Sequence, residues 1–160
     1  MKVLSRTLFV AYLLILLWLV LFKFSYEPWG VIRDYHRRTL NLSLFAYARR
    51  SEMLANVLAF IPFGVMLGVN GKRIPAWQKL AAMSAFSVAV ELIQYLLAIG
   101  ATDVTDVLMN TLGGAVGLGA YAVVGRRANE RVLDRRIFVA GAVILLAILY
   151  FRIFVFIVRY

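Results

Sequence analysis

The chain has 160 residues, of which 63% are apolar and only 16% charged. Soluble domains run nearer half apolar and a quarter charged, so the composition excludes an ordinary water-soluble domain and fits an integral membrane protein. There is no cysteine, which excludes disulfides and thiol chemistry, and the net charge is +10.

Five apolar runs, at 7–24, 52–70, 80–99, 105–124 and 137–158, are each near the ~20 residues a helix needs to cross a bilayer. The expected architecture is all-α: a polytopic membrane helix bundle of five transmembrane helices in a single domain, 1–160. The first run follows Lys2 and Arg6 as a signal peptide would, but its apolar stretch is long. It ends at Lys23-Phe-Ser-Tyr-Glu-Pro28 without a small-residue cleavage pattern, so it is read as a retained helix. Residues 125–136 hold five basic residues and residues 100–104 none, which predicts a cytoplasmic N-terminus. The basic residues are split among short loops on both faces. That pattern fits topology setting and contact with anionic lipid headgroups, and no nucleic-acid partner is expected.

The loop 25–50 follows the first run and alternates aromatic, basic and aliphatic residues. It reads either as an interfacial belt with snorkelling arginines or as a lid over an outward-facing pocket. His36, the lone histidine, has no second histidine or cysteine beside it, so neither a metal site nor a cofactor is expected.

In the second run, Asn56 precedes Phe60-Ile-Pro62-Phe-Gly64. Pro62 removes a helical hydrogen bond and predicts a kink, with Gln94 or Asn110 as candidate donors to the freed carbonyl. The third run carries Glu91 just past its midpoint, with Gln94 three residues on and on the same face. An ionised carboxylate inside a bilayer costs several kcal/mol, so Glu91 is expected protonated, paired or facing a polar cavity. The fourth run opens with Asp103, Asp106 and Asn110 at i, i+3 and i+7, again one face. Small-residue spacings at Gly64/Gly68 and Gly113/Gly117, followed by Gly119, predict close helix packing. In the fifth run, Arg152 is either a counter-ion to these groups or a snorkelling cation.

At about 1.5 Å per residue, Asn56, Gln94, Asn110 and Arg152 fall in one outer layer, with Glu91 as its floor. The spans carrying Asn56, Glu91 with Gln94, and Asp106 with Asn110 are expected to converge on one outward pocket, with the first and fifth runs packed around the outside. The plainer reading is interhelical hydrogen bonding for the amides and helix capping for Asp103 and Asp106.

Three motifs across 56–114 carry a resemblance: Asn56-xxx-Phe60-Ile-Pro-Phe-Gly64, Glu91-xx-Gln94 and Asp103-xx-Asp106-xxx-Asn110-Thr-Leu-Gly-Gly114. In this order and spacing they resemble the VanZ-like family, small bacterial membrane proteins named for a member linked to teicoplanin resistance. Thr39-Leu-Asn41-Leu-Ser-Leu-Phe45 resembles the family's Asn-Leu-x-Pro-Phe element, with Leu44 in place of proline. Many members have an arginine shortly after Glu-xx-Gln; here the residues are Ile99-Gly-Ala-Thr102, which makes Arg152 a candidate substitute. The resemblance implies a place in the bacterial cytoplasmic membrane and an envelope role in glycopeptide tolerance.

Three functions follow as expectations. The first is binding of a membrane lipid, lipid-linked envelope precursor or lipoglycopeptide antibiotic by Asn56, Glu91, Gln94, Asp103, Asp106, Asn110 and Arg152. The second is a membrane-embedded enzyme acting on such a headgroup, with Glu91 as acid or base and Asp106 as metal ligand or orienter. The third is a small transporter, proton-coupled through Glu91.

Overall fold

A computed structural model of the chain describes residues 2–22, 38–46, 48–99 and 101–159. Among the described residues five helices form: α1 Lys2–Leu21, α2 Arg50–Asn70, α3 Ala76–Leu97, α4 Val104–Gly125 and α5 Glu130–Arg159. Among the described residues, four helices are long and apolar enough to cross a membrane: Val3–Leu21, Arg50–Asn70, Ala76–Leu97 and Val104–Gly125. The molecule is an all-α bundle, as expected. The lid reading of residues 25–37, with His36, lies outside the described residues, as does the side chain of Arg152.

The bundle is built on the seam between α2 and α4, which run parallel. A Cβ on Gly64 would lie 2.0 Å from the Gly114 carbonyl oxygen, and one on Gly117 would lie 2.0 Å from that of Ile61. Gly113 meets the Val57 carbonyl at 2.2 Å in the same sense. No side chain fits at these contacts, so glycine is what lets the backbones touch. The contact is reciprocal, each helix setting a glycine on the other's carbonyl, which is the pattern of a two-fold interface. Gly119 stands apart from the seam, with nothing within 4 Å of a Cβ placed there.

Two short strands, which the helical periodicity did not predict, join the helices at one end. β1 (Thr39–Asn41) pairs in parallel with β2 (Ala101–Asp103), Leu40 opposite Thr102. Each leads toward one helix of the seam, so α2 and α4 enter the bundle side by side.

The packing core comprises Leu16 and Val20 of α1, Phe60 and Phe63 of α2, and Met83 and Val90 of α3. Phe9, Phe60, Phe63 and Phe86 form tilted and edge-on ring pairs 5.4–6.1 Å apart. The first helix therefore belongs to the core, which corrects the expectation that it packs around the outside. Polar bonds hold it there. The Tyr12 hydroxyl donates to the Ala59 carbonyl, three residues before Pro62, within α2. Gln94 Nε2 donates to the carbonyls of Val20 and Leu21 at 3.0 and 3.1 Å, covering two of the orphan acceptors that end every helix. Neither Gln94 nor Asn110 spends its amide on the carbonyl that Pro62 leaves free.

Candidate functional site

The polar residues gather where β1 and β2 meet the starts of α2 and α4. Helix α3 ends at Leu97, and Ala98 turns left-handed (φ 53°, ψ 37°). Its N–H and that of Ile99 return to the carbonyls of Gln94 and Tyr95, which closes the helix end as a left-handed cap does. The chain then doubles back along α3. Thr102 Oγ1 donates to the Glu91 carbonyl at 3.1 Å, and the backbone N–H of Asp103 donates to Glu91 Oε2 at 2.9 Å.

Asp103 is the N-cap of α4. Its Oδ1 accepts from the Thr105 N–H at 2.7 Å, while Oδ2 accepts from Asn41 Nδ2 at 2.8 Å. One carboxylate thus caps α4 and ties it to β1. The cap alone is worth ~1 kcal/mol. A further bond links the same elements: the Phe45 N–H donates to Thr105 Oγ1 at 3.1 Å. Phe45 is itself left-handed (φ 62°), in a turn where Asn41 Oδ1 accepts the N–H of Ser43. This is the segment in which Leu44 occupies the proline position.

Asp106, in the first turn of α4, accepts from Asn56 Nδ2 of α2 at 2.7 Å. A carboxylate is favoured there by the helix dipole. Asn110, one turn further in, donates to Ser87 Oγ of α3 at 2.8 Å, and Ser84 and Thr111 share a bond at 3.0 Å beyond it.

Glu91, Asp103 and Asn41 therefore form one connected group, and Asp106 with Asn56 another across the α2–α4 seam. Gln94 faces α1 instead, and Asn110 faces Ser87. The expected depths change accordingly. Because the chain turns back at Ala98, Asp103 descends to Glu91, and Asn110 lies at the level of Ser87, a turn deeper. Asn110 rather than Glu91 is the floor. Ser87, Thr102 and Thr105 were not read as site residues. Ser87 lies four residues before Glu91 on the same helix face, and that spacing is the one signal in the sequence that points to it.

Gln94 Oε1 and Asn110 Oδ1 are buried without a hydrogen-bond partner among the described residues, and the carboxylates add acceptors only. At the rim, the Arg38 guanidinium lies over the Tyr95 ring, 5.9 Å from its centroid.

Apolar helices of spanning length, packed around buried carboxylates and amides, define a membrane protein. The chain belongs to the VanZ/LLP1 family, whose family model matches residues 9–125. It is 45% identical over 152 residues to "Protein VanZ" of Enterococcus faecium, covering 94% of each chain. No solved structure matches.

Proposed function

We propose that the protein sits in the bacterial cytoplasmic membrane and receives the polar head of an amphiphile at the strand end of the bundle. Through that binding it contributes to tolerance of teicoplanin-type glycopeptides. The amphiphile is a lipid, a lipid-linked envelope precursor or the lipoglycopeptide itself. The observation that carries this reading is the gathering of Glu91, Asp103 and Asp106 where β2 meets the start of α4, at one end of an apolar bundle. Such a site suits a head rich in donors, such as an amine or sugar hydroxyls. Glu91, Asp103 and Asp106 are the binding groups. Asn41 and Asn56 hold two of the carboxylates in place.

Similarity to Protein VanZ of Enterococcus faecium supports the envelope role. Expression of the full chain in a susceptible Gram-positive host tests it. The teicoplanin inhibitory concentration should rise at least fourfold, and Asp106→Asn should abolish the rise while the protein still reaches the membrane. An unchanged inhibitory concentration for the parent chain would refute the role in tolerance.

The strand end faces outward in this reading, from the five basic residues at 125–136 on the opposite side. A membrane-impermeant thiol reagent applied to intact cells should label Ser43→Cys and miss Asn129→Cys. The reverse pattern inverts the orientation and places the site in the inner leaflet.

A further inference from the structure

At the opposite end of the bundle, a cleft of about 740 Å³ opens between the start of α1, the α2–α3 turn and the start of α5. Its lining includes Arg6, Lys72, Arg73 and Arg131, with Glu130 and Asp134 as the acidic residues. The acids are already engaged. Lys72 Nζ lies 2.7 Å from Glu130 Oε1 and 2.5 Å from Asp134 Oδ2. Asp134 Oδ1 also accepts from the Tyr121 hydroxyl at 3.0 Å.

Arg6, Arg73 and Arg131 are left as the cations of the cleft, exposed and without an ion pair among the described residues. They come from three separate elements and face one space. A guanidinium meets a phosphate through a planar pair of N–H donors, so three of them suit a phosphate better than a single carboxylate. Leu4, Val69, Ile74 and Phe138 complete the wall, with Leu4 57% and Ile74 43% exposed. Cations beside bare aliphatic surface, at the end of membrane-spanning helices, describe a seat for an amphiphile at headgroup depth.

We infer that this cleft binds one anionic phospholipid, its phosphate held by Arg6, Arg73 and Arg131 and its upper acyl chain lying on Leu4, Ile74 and Phe138. The lipid bridges α5 to α1 beside the Lys72 ion pairs. This site is separate from the strand end and does not depend on the function proposed there.

Native mass spectrometry of the full chain in detergent tests the inference, with phosphatidylglycerol and phosphatidylcholine titrated in parallel. One phosphatidylglycerol should bind at least fivefold more tightly than phosphatidylcholine. The combined variant Arg6→Gln, Arg73→Gln, Arg131→Gln should erase that preference. A control losing the same charge outside the cleft, Arg126→Gln, Arg127→Gln, Arg136→Gln, should keep it. Where the triple variant does not fold, Arg73→Gln on its exposed turn should lower the preference at least twofold. Equal binding of the two lipids, or equal loss in the control, overturns the site in favour of diffuse surface charge. Inorganic phosphate displacing phosphatidylglycerol at millimolar concentration overturns the lipid as occupant, leaving a free-anion site.

Discussion

The two ends of the bundle hold their polar groups in different ways. At the strand end, carboxylates meet backbone N–H groups and amides, buried or half-buried, and the bonds of Asn41, Asn56 and Glu91 each join separate elements. At the basic end, Lys72, Glu130 and Asp134 form ion pairs whose side chains are 39%, 62% and 20% exposed. Buried hydrogen bonds are costly to break because the partner left behind cannot reach water. Exposed ion pairs are cheap to break because solvent and salt replace them. The strand end should therefore behave as a rigid scaffold and the basic end as an adjustable surface, although both are crowded with charge.

The largest effect is expected where the seam supports the strand end. Gly117→Val drives its side chain into the Ile61 carbonyl, which a Cβ already reaches at 2.0 Å. Backbone must move, at a cost above the ~1–3 kcal/mol of ordinary overpacking, and size-exclusion chromatography should show loss of the monodisperse protein. Gly119→Ala, on the same helix with open space around it, should be neutral or gain up to ~1 kcal/mol in thermal unfolding. Equal damage from both would mean the seam is not what holds this end.

Asp103→Ala comes next, because one residue supplies the cap of α4 and the tie to Asn41. Losing a cap costs ~1 kcal/mol, and leaving the half-buried Asn41 amide without its acceptor adds about 1 more. Glu130→Ala, the matching removal at the basic end, should cost less than ~1 kcal/mol. Unfolding midpoints of the two variants decide it. Similar values would erase the contrast between the ends.

A finer cut is available at Glu91. Glu91→Gln keeps a carbonyl oxygen for the Asp103 N–H, whereas Glu91→Ala leaves that buried donor without its acceptor. The alanine variant should be less stable than the glutamine variant by ~1–3 kcal/mol. If the two unfold together, the Glu91–Asp103 bond does not stabilise the strand end.

Much of this was legible in the sequence, and the failures have physical causes. The apolar runs located the helices because a bilayer demands ~20 residues per span. The glycine spacings located the seam because only small residues let backbones touch. Depth was misjudged at Glu91 and Asn110 because counting 1.5 Å per residue assumes the chain leaves a helix and keeps going. The left-handed turn at Ala98 sends it back instead, and alanine at that position gives no warning. The β1–β2 pair was invisible for a related reason: three residues per strand are too few to show a period of two. Gln94 was read with Glu91 from shared spacing. One helix turn is enough to aim them at different neighbours, Gln94 at the end of α1 and Glu91 at the start of α4.

The smallest expected effect is also the most specific test of the basic end. Burial works against the Lys72 ammonium, but its bonds to Asp134 and Glu130 outweigh that and hold its pKa above the ordinary lysine value. A group raised in the folded state contributes stability that is complete below its unfolded pKa, ~10.4, and is lost only as pH climbs through the higher folded value. Lys72→Gln should therefore cost the same at pH 6 and pH 9. With the lysine about two-fifths exposed, the cost should lie within ~0.2–1 kcal/mol. It should shrink toward zero in 1 M salt, where the screening length falls to ~3 Å. Paired unfolding curves at low and high salt measure this. A loss that survives high salt would mean that Lys72 is held as tightly as Asp103, and the basic end would then count as scaffold too.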